Sequence, residues 1–292
     1  MNRNVLILSS AVTATALVLA GVWVVRAARL KASVESHRVF WSHPHGQPGG
    51  LLYVALGDSL AQGIGASSPE RGYVGLLAAR LELSTGRPVQ VVNLSVSGAR
   101  LRDVLATQIP ALAALRPDLV TVDVGANDMG GYDASRFARE AAALTSALPA
   151  GTLLADVPYF MHGRWEAHAR EASAVLAREA ASHGLVVVPV HEAQRAQGWT
   201  AMLTQFAADW FHPNDRGHRV WADAFWKARD QSVLVDRPAG LEGDPQWFVG
   251  TVDDGVAAVA LHRRTGVGRD DAEPRQGEGA DDEDQLGPQR HR

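Results

Sequence analysis

Five short apolar runs recur through the middle of the chain: LLYVAL (51–56), VQVVNL (89–94), LVTVDV (119–124), TLLADV (152–157) and LVVVPV (185–190). Between them lie Ala/Leu/Arg-rich segments with helical spacing. No other feature restricts the fold as much. A strand that is apolar on both faces must be covered on both, and helices between successive strands supply that cover. The pattern predicts an α/β fold, a three-layer α/β/α sandwich around a five-stranded parallel sheet. Right-handed crossovers leave few topologies, and the flavodoxin-like order 2-1-3-4-5 fits, with its ligand-binding switch point between the first and third strands. Helices are expected over about 73–83, 101–115, 135–147 and 165–183. A last one is expected from Pro213 to Gln231, because proline suits a first helical position.

The flanks read differently. Residues 5–25 carry no charge, and a helix of that length spans roughly 30 Å, about the hydrocarbon thickness of a bilayer. A transmembrane anchor over residues 1–31 is the favoured reading; a cleaved signal peptide ending at Val18-Leu19-Ala20, which would leave a secreted protein, is the alternative. Arg3 lies on one side of the run, and Arg26, Arg29 and Lys31 on the other. That narrowly favours a cytoplasmic main domain, while an exported domain stays open. A linker is expected at 32–50, a short basic helix-like piece followed by a Gly/Pro-rich connector over 42–50, with His43 and His45 solvated in it. The α/β domain then covers 51–231. An extension at 232–292 has no clear period before about 263, where it packs as a hairpin or helix or stays loose. Beyond that it is rich in Arg, Asp, Glu and Gly and reads as disordered.

Composition removes several function classes. The net charge of −4 gives no electrostatic case for nucleic-acid binding. The absence of cysteine rules out disulfides, thiol catalysis and cysteine-held metal.

What remains is hydroxyl chemistry. Ser59 follows the first apolar run at a sharp strand-to-helix turn, where a fixed backbone exposes a side chain above the sheet; a turn or helix-capping serine is the plain alternative. Nucleophilic serine needs a base, a group that orients the base, and donors for the oxyanion. Of 11 histidines, His212 stands out because Asp209 precedes it by three residues in DWFHPND, so one short loop delivers both groups. His218 falls in the following helix and reads as packing or capping. His162, His168, His183 and His191 have no adjacent partner of equal quality. Gly98, after the second run, lets a backbone N–H approach a ligand. Asn127, after the third, carries a neutral amide that donates to negative charge or closes an Asx-turn. Asp58 and Asp128 read as structural neighbours.

These segments, ALGDSLAQG (55–63), NLSVSGA (93–99), GANDM (125–129) and DWFHPNDRGH (209–218), resemble the four blocks of the SGNH (GDSL-type) hydrolase family, over roughly residues 51–229. An α/β-hydrolase elbow would read G-x-S-x-G, whereas position 61 here is alanine. The resemblance implies acyl-ester hydrolysis of the esterase, lipase or lysophospholipase type, with neither metal nor organic cofactor. It implies Ser59 as nucleophile, His212 as base and Asp209 as its partner. The oxyanion donors would be the backbone N–H groups of Ser59 and Gly98 and the Asn127 side chain. The expected substrate is a small-molecule or lipid ester, brought near by a membrane anchor. Carbohydrate or cell-wall deacetylation is the alternative chemistry, and a non-catalytic tethered binding protein the alternative class. PYFM (158–161) with Trp165 either lines an acyl pocket or packs between helices.

Overall fold

The computed structural model describes residues 3–229, 246–251 and 257–262. The five apolar runs form parallel strands: β2 (Leu51–Gly57), β3 (Val89–Asn93), β4 (Leu119–Asp123), β5 (Leu153–Ala155) and β6 (Val186–Val188). Their spatial order is β3-β2-β4-β5-β6, the expected one. Among the described residues the sheet has six strands, however, not five. The sixth, β1 (His45–Gly46), is antiparallel to β3, pairing His45 with Val91 and Gly46 with Gln90. Two residues carry no alternating pattern, so backbone pairing alone creates this edge.

Alternation along the strands sends successive side chains to opposite faces. Val54, Leu56, Val92, Val120, Val122 and Leu154 point into one core cluster. It is covered by α5 (Ala134–Ala147), α6 (Gly163–Ser182) and the helical stretch that begins at Leu101. Tyr53, Ala55, Val91, Leu153, Ala155 and Val188 point into the other, against α2 (Tyr73–Thr85) and α9 (Asp215–Ala228). This is the three-layer α/β/α arrangement.

The stretch from Leu101 is not one regular helix. α3 (Leu101–Asp103) runs into a π-helical turn over Val104–Gln108 and then α4 (Ile109–Ala113). Pro110 has no N–H to donate back to the preceding turn, and a π-turn accommodates that loss. The widened turn places the buried Gln108 amide on Gly57: Oε1 accepts from Gly57 N–H at 2.8 Å, and Nε2 donates to Gly57 O at 2.8 Å. Gly57 has φ +140 and a side chain there would meet Asp123 O at 2.0 Å, so only glycine fits.

Two short helices, α7 (Val190–Arg195) and α8 (Ala201–Thr204), were not expected. The last helix starts later than expected. Asn214 caps α9, accepting from the N–H groups of Arg216 and Gly217, and Pro213 lies outside it. An Asn cap satisfies two otherwise orphaned donors, which outweighs the fit of proline at a first turn.

At the front, α1 (Arg3–Phe40) is continuous for 38 residues, so residues 32–40 extend a helix. Among the described residues no helix is long and apolar enough to cross a membrane. The transmembrane helix expected over 5–25 therefore finds no support; its part up to Leu17 lies outside the described side chains. The helix continues without a break through charged Arg29, Lys31 and Glu35 to an end that packs on the α/β domain: Trp41 is buried in the second core cluster. His45 is not solvated but stacked on Phe40, with ring centroids 3.6 Å apart, and its Nε2 donates to Phe40 O. Near the other end, β7 (Gln246–Thr251) and β8 (Ala257–His262) form an antiparallel hairpin. The tail expected to be disordered from about 263 lies outside the described residues.

Candidate active site

β2 stops at Gly57, and the chain turns tightly through residues 58–64. Ile64 N–H donates to Ser59 O at 2.9 Å and Gln62 N–H to Asp58 O at 3.2 Å. Side chains hold the carbonyls of this turn. Asn93 Nδ2 donates to Ala61 O at 2.7 Å, and His218 Nε2 donates to Ile64 O at 3.1 Å. His218 is fully buried, and burial pushes its pKa down to about 4, so the ring is neutral. It packs and donates, as its place in a helix indicated. Ser59 itself is only 5% exposed.

The second group arrives on the 205–214 loop. Backbone bonds close its base, Ala207 N–H to His212 O at 2.8 Å and Asn214 N–H to Gln205 O at 2.8 Å. Trp210 takes φ +56 within it. The closure aims His212 at Ser59: Nε2 lies 2.8 Å from Ser59 Oγ, and Nδ1 lies 2.5 Å from Asp209 Oδ2. The other carboxylate oxygen, Oδ1, accepts from Phe211 N–H and His212 N–H, each at 3.1 Å. Burial alone would raise the Asp209 carboxyl. The His212 hydrogen bond and charge, with the two backbone donors, outweigh it and hold the group below the ordinary carboxylate range.

The loops after β3 and β4 complete the arrangement. Gly98 is exposed with φ +82, and nothing lies within 4 Å of where a side chain would stand. No described residue accepts from the backbone N–H of Ser59 or of Gly98, so both are available to a ligand. Asn127 differs from expectation in one respect. Its Nδ2 already donates to Asp58 Oδ2 at 2.9 Å and to Ala99 O at 3.0 Å. Donation to an oxyanion would have to share or release one of these bonds.

Asp58 is more than a turn residue. Its Oδ1 accepts from Leu60 N–H at 3.0 Å while Oδ2 orients Asn127. Burial is the largest influence on it and pushes its pKa up to about 7, against the lowering effect of Leu60 N–H. Asp128 Oδ2 accepts from Leu101 N–H at 3.3 Å, tying the third loop to the second; burial pushes it up to about 6.

Beside His212 stands an aromatic rim. Phe211 meets the His212 ring edge-on at 5.0 Å, Phe160 lies 6.3 Å from Phe211, and Trp165 lies 5.9 Å from Phe160. Phe160 packs partly on the core, whereas Met161 (φ +66) and Trp165 are more than a third exposed. The segment is held from below: Gln194 Oε1 accepts from Tyr159 N–H, and Glu166 Oε2 from Phe160 N–H, both at 3.0 Å. Glu166 Oε1 also pairs with His191 Nε2 at 3.0 Å, a partner that sequence spacing did not reveal. A cavity of about 150 Å³ lies next to the 205–214 loop, lined among others by Tyr159, Met161, Trp199, Met202, Phe206 and Pro213. Among the described residues no group of three or more His, Asp or Glu side chains is arranged to hold a metal ion.

Sequence reasoning missed Gln62 and Gln108, the amides that tie this region together, and the C-terminal end of α1 behind Gln62. The one available signal for Gln108 was a glutamine in an apolar helical segment two residues before a proline.

The model of the GDSL-like lipase/acylhydrolase family matches residues 55–220. No curated protein matches the chain significantly. Among solved structures it is similar to LAE5, described as an α/β hydrolase enzyme from the metagenome of Lake Arreo, Spain, at 26% identity over 63% of this chain and 96% of that one, TM-score 0.53. It is similar to TesA at 25% identity over 61% and 97%, TM-score 0.51. Axe2, an acetylxylan esterase from Geobacillus stearothermophilus, shares the fold at 21% identity over 64% and 97%, TM-score 0.51. With more than half of its length matched, and Ser59, Asn127 and His212 all inside that match, this chain belongs to the GDSL-like lipase/acylhydrolase family.

Proposed function

We propose that this hydrolase is a serine esterase that cleaves carboxylic esters through an acyl-enzyme. The observation that carries the reading is the unbroken chain from Asp209 Oδ2 through the His212 ring to Ser59 Oγ, at 2.5 and 2.8 Å. In the proposed reaction Ser59 Oγ attacks the ester carbonyl carbon as His212 Nε2 takes its proton. The carbonyl oxygen becomes an oxyanion that accepts from Ser59 N–H, Gly98 N–H and the Asn127 amide. The carbon–alkoxide bond then breaks, and the proton on Nε2 goes to the leaving alcohol. Water, deprotonated by the same nitrogen, releases the acid and regenerates Ser59. Asp209, held ionised, keeps the His212 proton on Nδ1. No step draws on a metal or cofactor. Ser59→Ala tests the reading: hydrolysis of short-chain nitrophenyl esters is expected to vanish, and wild-type turnover in that variant would falsify it.

For substrate, we favour an ester with an apolar acyl chain, of lipid or lysophospholipid type. Support comes from the rim formed by Phe160, Trp165 and Phe211 and from the cavity beside the loop of His212. A second reading, a sugar O-acetyl esterase like Axe2, draws on the same exposed Trp165, whose ring suits stacking on a sugar. Acyl-chain dependence separates the two. Turnover that holds or rises from acetyl to octanoyl esters, and falls for octanoyl in Trp165→Ala, fits the first; strict preference for acetyl fits the second.

A membrane location is a separate proposal. It rests on the uncharged run 5–25 and on the exposed Val22, Trp23 and Val24 of α1. Retention in the membrane fraction after an alkaline wash is the expected result; full release would sink it.

A further inference from the structure

The turn that carries Ser59 is held from outside the family-matched region as well as from within it. His37 and Trp41, at the end of α1, are both buried, and both donate to one carbonyl, that of Gln62. His37 Nδ1 and Trp41 Nε1 each lie 3.1 Å from it. Because a carbonyl only accepts, the first of these bonds fixes the Nδ1–H tautomer of His37. Burial is the main influence on that ring and lowers its pKa, which keeps it neutral. Trp41 packs in the same core cluster as Leu60 and Ala61.

Gln62 also reaches the other way. Its Oε1 accepts from Ser97 Oγ at 2.6 Å and its Nε2 donates to Ser95 O at 2.9 Å. Ser97 directly precedes Gly98. One buried residue, three positions after Ser59, thus links α1 to the loop that bears a proposed oxyanion donor. The link has work to do, because Gly63 (φ +79) and Gly65 (φ +93) follow it. Glycines in the left-handed region give a turn little intrinsic stiffness, so outside bonds must fix its orientation. Asn93 and His218 fix Ala61 O and Ile64 O from within the α/β domain. The carbonyl between those two is held by residues 37 and 41, which precede the family match at 55–220.

We propose that His37 and Trp41 are positioning residues. By holding the Gln62 carbonyl they fix Ser59 relative to the Gly98 N–H, so the end of α1 belongs to the catalytic apparatus and is more than a tether. The inference rests on the esterase reading above.

The test uses the full chain. Trp41→Phe keeps an aromatic ring but removes the indole donor, and His37→Leu keeps an apolar side chain but removes the imidazole donor; His37→Asn keeps an N–H near the place of Nδ1. Each lost donor is expected to lower kcat for nitrophenyl esters about fivefold and to slow fluorophosphonate labelling by a similar factor. KM stays within about twofold, and labelling still reaches one group per chain. His37→Asn retains near wild-type turnover. Unchanged kcat per labelled serine in Trp41→Phe and His37→Leu, with only the melting temperature lowered, would show a packing role and overturn the proposal. So would a His37→Asn variant as impaired as His37→Leu. A wild-type chain that never labels removes the esterase reading itself, an outcome distinct from slow labelling to completion.

Discussion

The two halves of the site are built in opposite ways. The turn carrying Ser59 is buried, and side chains from α1, β3 and α9 hold three of its carbonyls. The loop carrying Asp209 and His212 projects outward. Backbone bonds close its base, and the Asp209 carboxylate braces it internally. Its Trp210 is exposed in a left-handed conformation, uncommon outside glycine. The core thus holds the Ser59 hydroxyl rigid, while the proposed base, His212, rides on a short outward strap. The division predicts that changes in the strap alter chemistry without altering stability, and that changes behind the turn alter both.

The sharpest contrast uses two histidines six residues apart. His212→Ala is expected to lower kcat by roughly 10⁴-fold or more while the melting temperature stays close to wild type. His218→Leu removes the donor to Ile64 O, deep under the turn. It is expected to destabilise by about 1–3 kcal/mol, a fall of several degrees in melting temperature, with a smaller loss of turnover. Thermal melting beside steady-state kinetics reads both. Equal stability losses in the two variants would break the division.

That contrast also marks what the sequence made legible. Strands β2 to β6 could be read because each is a continuous apolar run, and the first three lead into the loops that carry Ser59, Gly98 and Asn127. The pair Asp209 and His212 could be read because both sit in one loop, three residues apart. Long-range polar bonds left no such trace. Nothing local to Gln62 or Gln108 announces that they bind Ser95, Ser97 and Gly57, and β1 is defined only by its partner. The composition of residues 5–25 points to an anchor, but it carries no sign that the same helix runs on to Phe40 and that the chain at its end packs on the core. The preference of Pro213 for a helix start shows in its own chemistry, whereas the capping bonds of Asn214 do not.

A smaller effect is expected at Asn127, which belongs to neither half and is tied to the Ser59 turn through Asp58. Asn127→Ala should lower kcat by about 10²- to 10³-fold, with KM little changed, since the amide is proposed to serve the oxyanion more than the ground state. A loss confined to KM would remove it from the oxyanion role.

The smallest effect concerns pH. Burial raises Asp58 to about 7, so the folded chain holds there a proton that the unfolded chain releases near pH 4. Stability from this group is complete below about pH 4 and is lost as pH rises through about 7. Between pH 5 and 8 the melting temperature of the wild type should therefore fall more than that of Asp58→Asn. Asp123, raised by burial in the same direction, leaves part of the slope in place. Parallel profiles for the two chains would contradict the raised carboxyl.

In the proposed mechanism everything depends on His212 activating Ser59. Fluorophosphonate labelling with peptide mapping tests it most directly, because only an activated serine reacts readily. One label per chain, on Ser59, is expected in the wild type, with labelling slowed by orders of magnitude in a folded His212→Ala variant. Label on another residue, or equal rates in the two chains, would contradict it.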